Sequence, residues 1–301
     1  MTPPPVRIAV PRKGRPLEAV LDRVGELADA ASVADDIATT LRYEKGLTKG
    51  DHHDARGVYE RLAAYSTPDE PTAPDYTLLR DSRVGKPRRI VFDSLTVTVA
   101  GTRVELIGRE EPFRALRTHE FALGFDSADL VLEEVVGLRP EPLTSIADVN
   151  ERIDPVDTDV RVASGLGDTV YHTLLATPDA HGSAGVDRAF LDAYSGPVCI
   201  SPRYERLVEA VLGTAVTEGL TFTYPDADHD EEEAAIADAG VGVYLTVTGS
   251  TARDHGLTVG EQLFPSETVL MENQHEATGE RVASVRQALT TAPTETAIPP
   301  Q

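Results

Sequence analysis

Thr248-Gly249-Ser250-Thr251 puts three hydroxyls and a glycine in four consecutive positions, directly after an apolar run that begins at Val241. A helical turn closing at His255-Gly256 is expected to follow. Such a loop can hold a phosphate. The glycine lets backbone approach closely, the loop N–H groups and hydroxyls donate, and the start of a helix favours an anion. Arg253 can reach a phosphate at the loop edge. The P-loop lysine is missing, so this is no nucleoside-triphosphatase signature, and a plain capped turn competes with the phosphate reading. At the other end of the chain, Lys13-Gly14-Arg15 follows a short apolar run, Val6 to Pro11. It sets two cations beyond the carboxyl end of a first strand, where open α/β sheets bind ligands. The competing reading is a basic surface turn.

Other constellations carry less. Asp226-Ala227-Asp228-His229-Asp230 has the look of a cation site, but Glu231 and Ala237 stand where an EF-hand needs glycine and a bidentate glutamate. An acidic helix start, able at most to hold Mg²⁺ loosely, fits it better. Asp51-His52-His53-Asp54 contains zinc-ligand types without a complementary ligand pair, so solvated histidines are expected. Arg80, Arg83, Lys86, Arg88 and Arg89 form a basic stretch that reads first as an exposed hairpin edge, ahead of an oligomer contact or a grip on a triphosphate tail. The lone cysteine, Cys199, lies in an apolar run and reads as a buried strand residue.

These motifs need strands and helices to place them. A first strand over Val6 to Pro11 leads to a helix from Pro16 to about Ala30. Helices are predicted near residues 32–43 and 54–65, with a polar connection from Lys45 to His53, and residues 67–74 read as a loop. Alternation over 90–107 predicts a hairpin turned at Ala100-Gly101. A helix at 112–118, a strand at 121–125 and a helix from about Ser127 to Val136 follow. A short helix is predicted over Ile146 to Arg152, and from there strands and helices alternate to a last helix at 276–289 and a Thr/Pro-rich tail over 291–301 expected to be disordered. This alternation predicts an α/β protein with largely parallel pairing.

Composition bounds the function. The chain has 301 residues, a hydrophobic share of 41% and a formal net charge of −22, which would repel duplex nucleic acid and anionic membrane alike. Four lysines stand against 24 arginines, and acidic residues abound, a balance suited to a high-salt cytosol. No apolar run is long enough to span a bilayer and the amino end lacks a signal-peptide layout, so a cytoplasmic protein without nucleic-acid or membrane partners is expected.

Read whole, the segment after Val241 resembles the ribose-phosphate loop of the ATP phosphoribosyltransferase family, which makes the first intermediate of histidine biosynthesis. The family carries T-G-x-T-L-R-x-N-G-L after a strand. Thr248, Gly249, Thr251, Arg253, Gly256 and Leu257 match, while Ala252 and His255 depart. The opening Arg7-Ile8-Ala9-Val10-Pro11-Arg12-Lys13-Gly14-Arg15 is similar to the family's R-I-A-V/L-P-x-K-G-R. The stretch Ala122 to Glu133 fits through Gly124, Asp129 and Glu133, and Gly165-Leu166-Gly167 fits loosely.

The resemblance implies a two-lobed fold of the periplasmic-binding-protein type (type II), with mixed sheets and an interlobe cleft. The first lobe would take residues 1–150, with an atypical insertion over about 31–90, and be completed by 266–290. The second, residues 151–265, would carry the phosphate loop. It implies phosphoribosyl pyrophosphate with Mg²⁺ and a nucleotide acceptor as ligands. Thr248, Gly249, Ser250, Thr251 and Arg253 would hold the 5′-phosphate, Lys13 and Arg15 would face the pyrophosphate, and Asp126 and Asp129 would line the cleft. It implies a homo-oligomer and, as in the family's short form, a separate regulatory subunit. Gly240 and Tyr244 occupy positions where the family has aspartates serving the ribose and the metal. That leaves open a paralogue that binds phosphoribosyl pyrophosphate or a nucleotide without turnover.

Overall fold

The computed structural model describes residues 3–67, 69–79, 88–139, 143, 147–225 and 232–290. Arg80, Arg83 and Lys86 of the basic stretch, the acidic run Asp226 to Glu231, Ile146 and the tail 291–301 lie outside them. The chain begins with β1 (Val6–Pro11), α1 (Gly14–Ala28), α2 (Ala31–Lys49), α3 (Val58–Tyr65) and β2 (Asp75–Leu79). The hairpin β3 (Arg89–Val99) and β4 (Thr102–Arg109) follows, then α4 (Pro112–Arg117), β5 (Leu123–Ser127), α5 (Ala128–Val135) and α6 (Ala147–Arg152). Next come β6 (Val160–Gly165), β7 (Val170–Ala176), α7 (Pro178–His181), α8 (Arg188–Ala193), β8 (Pro197–Ile200), a 3₁₀ turn at Pro202–Tyr204, α9 (Glu205–Leu212), α10 (Thr214–Thr217) and β9 (Thr221–Thr223). The chain continues through α11 (Glu232–Ala239), β10 (Val241–Thr246), α12 (Ser250–Asp254), β11 (Thr258–Ser266), β12 (Thr268–Asn273) and α13 (Glu280–Leu289).

These elements form two compact units, one of Met1–Asp126, Asp159–Leu166 and Thr268–Pro293, the other built chiefly of Ser127–Thr158 and Gly167–Glu267. The division differs from the boundaries expected at 150 and 266. The chain leaves the first unit at the end of β5, and β6 returns to it because its residues pair with β12.

The first unit holds a sheet in the order β2-β3-β4-β1-β5-β12-β6. β1 runs parallel to β4 and β5, whereas β3 pairs antiparallel with β2 and β4, and β6 antiparallel with β12. Ile8 and Val10 alternate onto the face that meets Leu17, Val20, Leu21 and Val24 of α1, a 3–4 spacing that puts one helical stripe on the sheet. Each such buried side chain contributes about 1.5–3 kcal/mol. Residues 31–90 extend this unit. α2 continues through the predicted polar connection as far as Lys49 because Ile37, Leu41 and Glu44 keep one stripe buried, and Gly50 in the left-handed region (φ 87°) ends it. Buried Glu44 takes a two-pronged bond from Arg61 of α3 (2.7 and 3.1 Å) and another from the Tyr65 hydroxyl (3.1 Å).

The second unit holds a sheet in the order β11-β7-β10-β8-β9. β10 is parallel to β8 but antiparallel to β7, and β7 is antiparallel to β11. Both sheets are therefore mixed, which corrects the expectation of largely parallel pairing. α11 packs Ala235 and Ile236 against Leu175 and Cys199, and Ala252 and Leu257 join the same cluster. Cys199 is buried, as its apolar run predicts.

Candidate phosphate loop and the groups around it

β10 ends at Thr246, and Val247 and Thr248 stand exposed before α12 begins at Ser250. Gly249 caps that turn at φ 69°, and a Cβ there would lie 2.8 Å from Val259 Cγ2, so both conformation and space demand glycine. The Thr248 and Ser250 hydroxyls are 3.0 Å apart, and the Ser250 amide reaches Thr248 Oγ1 at a long 3.4 Å. Arg253 folds back over the turn. Its Nη2 donates to the Thr248 carbonyl (2.7 Å) and its amide to the Gly249 carbonyl (3.1 Å). Arg253 therefore braces the loop through two of its carbonyls. Among the described residues no backbone bond uses the amides of Gly249, Thr251 or Ala252. Three backbone donors and the exposed hydroxyls of Thr248 and Ser250 thus share one short turn. Behind it, the Thr173 and Thr246 hydroxyls join β7 to the end of β10 at 2.5 Å.

In the other unit, β1 delivers Lys13-Gly14-Arg15 to the carboxyl end of the sheet. Gly14 takes φ 81°, Lys13 is exposed and Arg15 half-buried. Arg12 anchors the turn. Its Nε donates to the Gly108 carbonyl (3.0 Å), its Nη2 to Asp93 (3.4 Å), and its own carbonyl accepts the Phe92 amide (3.1 Å).

The two aspartates expected to line a cleft are buried within their units. Asp126, in β5, accepts the Phe113 amide at 3.1 Å and so holds the first turn of α4. Asp129, in α5, faces His172 Nε2 at 3.4 Å. Burial alone would raise its pKa, but hydrogen bonds from His172, Ser127 and Tyr204 outweigh that and hold it at about 2. The His172 ring stacks on Phe264 at 4.3 Å and meets Tyr204 edge to face at 4.6 Å. Burial, with Asp129 beside it, pushes the Tyr204 hydroxyl's pKa well up. Sequence reading did not find His172 or Tyr204, because 43 residues separate His172 from Asp129 and neither carries a local motif. Glu133 accepts the Leu207 amide at the start of α9 (2.8 Å), and Arg206 returns bonds to the carbonyls of Glu133, Glu134 and Val136 at the end of α5.

Gly240 stands where the resembled family has an aspartate, and its backbone takes a left-handed conformation that favours glycine. At φ 92° it turns α11 into β10, and its carbonyl accepts the Thr177 amide at 2.8 Å. Tyr244 lies on β10 opposite Thr173, and the Glu232 carboxyl bonds to it. Burial, then Glu233, raises the pKa of Glu232. Of the competing cation readings, the Asp226–Asp230 run lies outside the described residues. Among the described residues no group of three or more His, Cys, Asp or Glu is placed to hold a metal. His52 stacks on Tyr43 (5.6 Å), and Asp54 is taken by Arg56 (2.7 Å) and the Tyr43 hydroxyl (3.1 Å). Arg88 lies against Tyr59, and Arg89 is part of β3.

The sequence model of the halobacterial ATP phosphoribosyltransferase family matches residues 1–300. The chain belongs to that family. It is thereby placed among transferases of histidine biosynthesis. No curated protein matches it. Among solved structures it is similar to the ATP phosphoribosyl transferase (HisG:HisZ) complex from Thermotoga maritima, at 12% identity over 94% of this chain and 98% of that one, with a TM-score of 0.41. It is also similar to the regulatory domain of MetR, a LysR family regulator from N. meningitidis (11% identity, 62% and 79% covered, TM-score 0.33). A third is the BvgS periplasmic VFT2 domain of Bordetella pertussis (16% identity, 63% and 70% covered, TM-score 0.31). Likenesses this loose add nothing to the family assignment. Among the described residues no helix is long and apolar enough to cross a membrane.

Proposed function

We propose that the chain binds phosphoribosyl pyrophosphate with its 5′-phosphate on Thr248, Gly249, Ser250 and Thr251, and transfers the phosphoribosyl group to a nucleotide acceptor. The observation that carries this is the set of amides at Gly249, Thr251 and Ala252 left out of the backbone hydrogen bonding, in a family member whose turn admits only glycine at its centre. In the transfer, the bond from the anomeric carbon to the pyrophosphate oxygen breaks and a bond to the acceptor nitrogen forms. The pyrophosphate departs with the electron pair. Lys13 and Arg15 are the cations assigned to that departing charge. Mg²⁺ would be held mainly by phosphate oxygens of the substrate, in keeping with a chain whose described carboxylates form no three-ligand group. It would neutralise charge on the pyrophosphate.

A second reading is a relative that binds phosphoribosyl pyrophosphate without turnover, favoured by Gly240 and Tyr244 at the aspartate positions. A homo-oligomer with a separate regulatory subunit, in a high-salt cytoplasm, completes the proposal. Calorimetric titration with phosphoribosyl pyrophosphate and Mg²⁺, with and without ATP, tests it alongside an assay for released pyrophosphate. Binding with release supports the enzyme, binding without release supports the second reading, and no binding removes both.

A further inference from the structure

The first unit contains a cavity of about 490 Å³ at the amino-terminal edge of its sheet, within the size range of small-molecule sites. The entries of β1 and β5 and the first turn of α13 form its walls. The Lys13-Gly14-Arg15 turn stands at the opposite, carboxyl end of the same β1 strand. Arg7 and Arg281 line the cavity together with the apolar residues Pro5, Ala122 and Val282.

Arg7 is the telling residue. It projects from an interior strand with its side chain 52% exposed. Among the described residues its polar partner is Glu105, at 3.8 Å and beyond hydrogen-bond reach. Its guanidinium is nonetheless held in place, 5.0 Å from the centre of the Phe121 ring, which Arg109 approaches at the same distance. A planar fork of five donors, positioned by an aromatic ring and with no hydrogen-bond acceptor among the described residues, suits two-pronged recognition of a carboxylate or phosphate. Arg281 is fixed by one bond to the Pro4 carbonyl (2.5 Å), which leaves its remaining donors for a ligand. Glu120 and Glu280 also line the cavity and oppose a bare anion, so an anion with an apolar body to cover the apolar residues fits better than a naked one.

We propose that this cavity is a second ligand site, separate from the Thr248–Thr251 loop, for a small organic anion. Its carboxylate or phosphate sits between Arg7 and Arg281 and its apolar body against Pro5, Ala122 and Val282. The test titrates the full chain with phenylacetate and, separately, with inorganic phosphate, following backbone amide shifts and heat. The expected result is saturable phenylacetate binding with shifts at Ala122 and Gly279, weakened about tenfold or more in both R7Q and R281Q. Phosphoribosyl pyrophosphate affinity should change less than about twofold in the same variants, whose folding is checked by circular dichroism. Phosphate binding more weakly than phenylacetate at those amides supports the site, and phosphate binding more tightly overturns the apolar part of it. Phenylacetate binding untouched by both substitutions, shifts confined to residues 248–252, or no saturation by either probe overturns it.

Discussion

At the scale of single residues, Gly249 and Asp129 set the sharpest expectations. Gly249→Ala forces a side chain into the left-handed region and a Cβ to 2.8 Å from Val259. We expect it to cost about 1–3 kcal/mol of stability and to weaken phosphoribosyl pyrophosphate binding at least tenfold, read by thermal melting and calorimetry. Asp129 has a folded pKa of about 2 against an ordinary 3.8. Its contribution is therefore complete above the unfolded value and drains away as pH falls from about 4 towards 2. The shift corresponds to about 2 kcal/mol, so Asp129→Asn should flatten that part of the acid-denaturation curve. Arg61→Met leaves the buried Glu44 carboxylate without its two-pronged guanidinium, which should destabilise the chain by about 3–5 kcal/mol in urea melts.

At the scale of elements, the C-terminus of α5 depends on one side chain from α9. Arg206→Ala removes the donors at 3.0, 3.2 and 2.9 Å from three carbonyls and should cost about 1–3 kcal/mol by chemical denaturation, with early amide exchange along α5. This cap also marks a limit of what can be read from a sequence. β1, α1 and the β3–β4 hairpin were legible because local period and turn residues decide them, with the turn at Ala100-Gly101 as predicted. β2 was missed: five residues bounded by a proline-rich loop carry too little pattern, and only pairing with β3 makes them a strand. α2 runs past Lys45 because Glu44 and Gly46 are buried, and polar or small residues give no sign of burial in a pattern of hydropathy. The last helix starts at Glu280 rather than 276 because the Asn273 side chain accepts the amides of His275 and Glu276 and turns the chain first. Of the candidate site, the Thr248–Thr251 turn was legible through its glycine and hydroxyls. The Asp129–His172–Tyr204 cluster was not, since only the fold brings those residues together.

At the scale of the whole molecule, a net charge of −22 implies strong self-repulsion at low ionic strength. Raising potassium chloride from about 0.1 to 1 M shortens the Debye length from about 10 to 3 Å and should raise the melting temperature. A flat or falling melting curve would remove the high-salt part of the proposal. A different consequence follows from the order β5-β12-β6. The strand that fills the place between β5 and β6 is synthesised after both of them, more than a hundred residues beyond β6. Until Asn273 has emerged, β6 lacks its partner and β5 presents an open edge. Nascent chains stalled before Thr268 should therefore be more readily cleaved by protease and more prone to clump than chains stalled after Leu289, however well their early helices have formed.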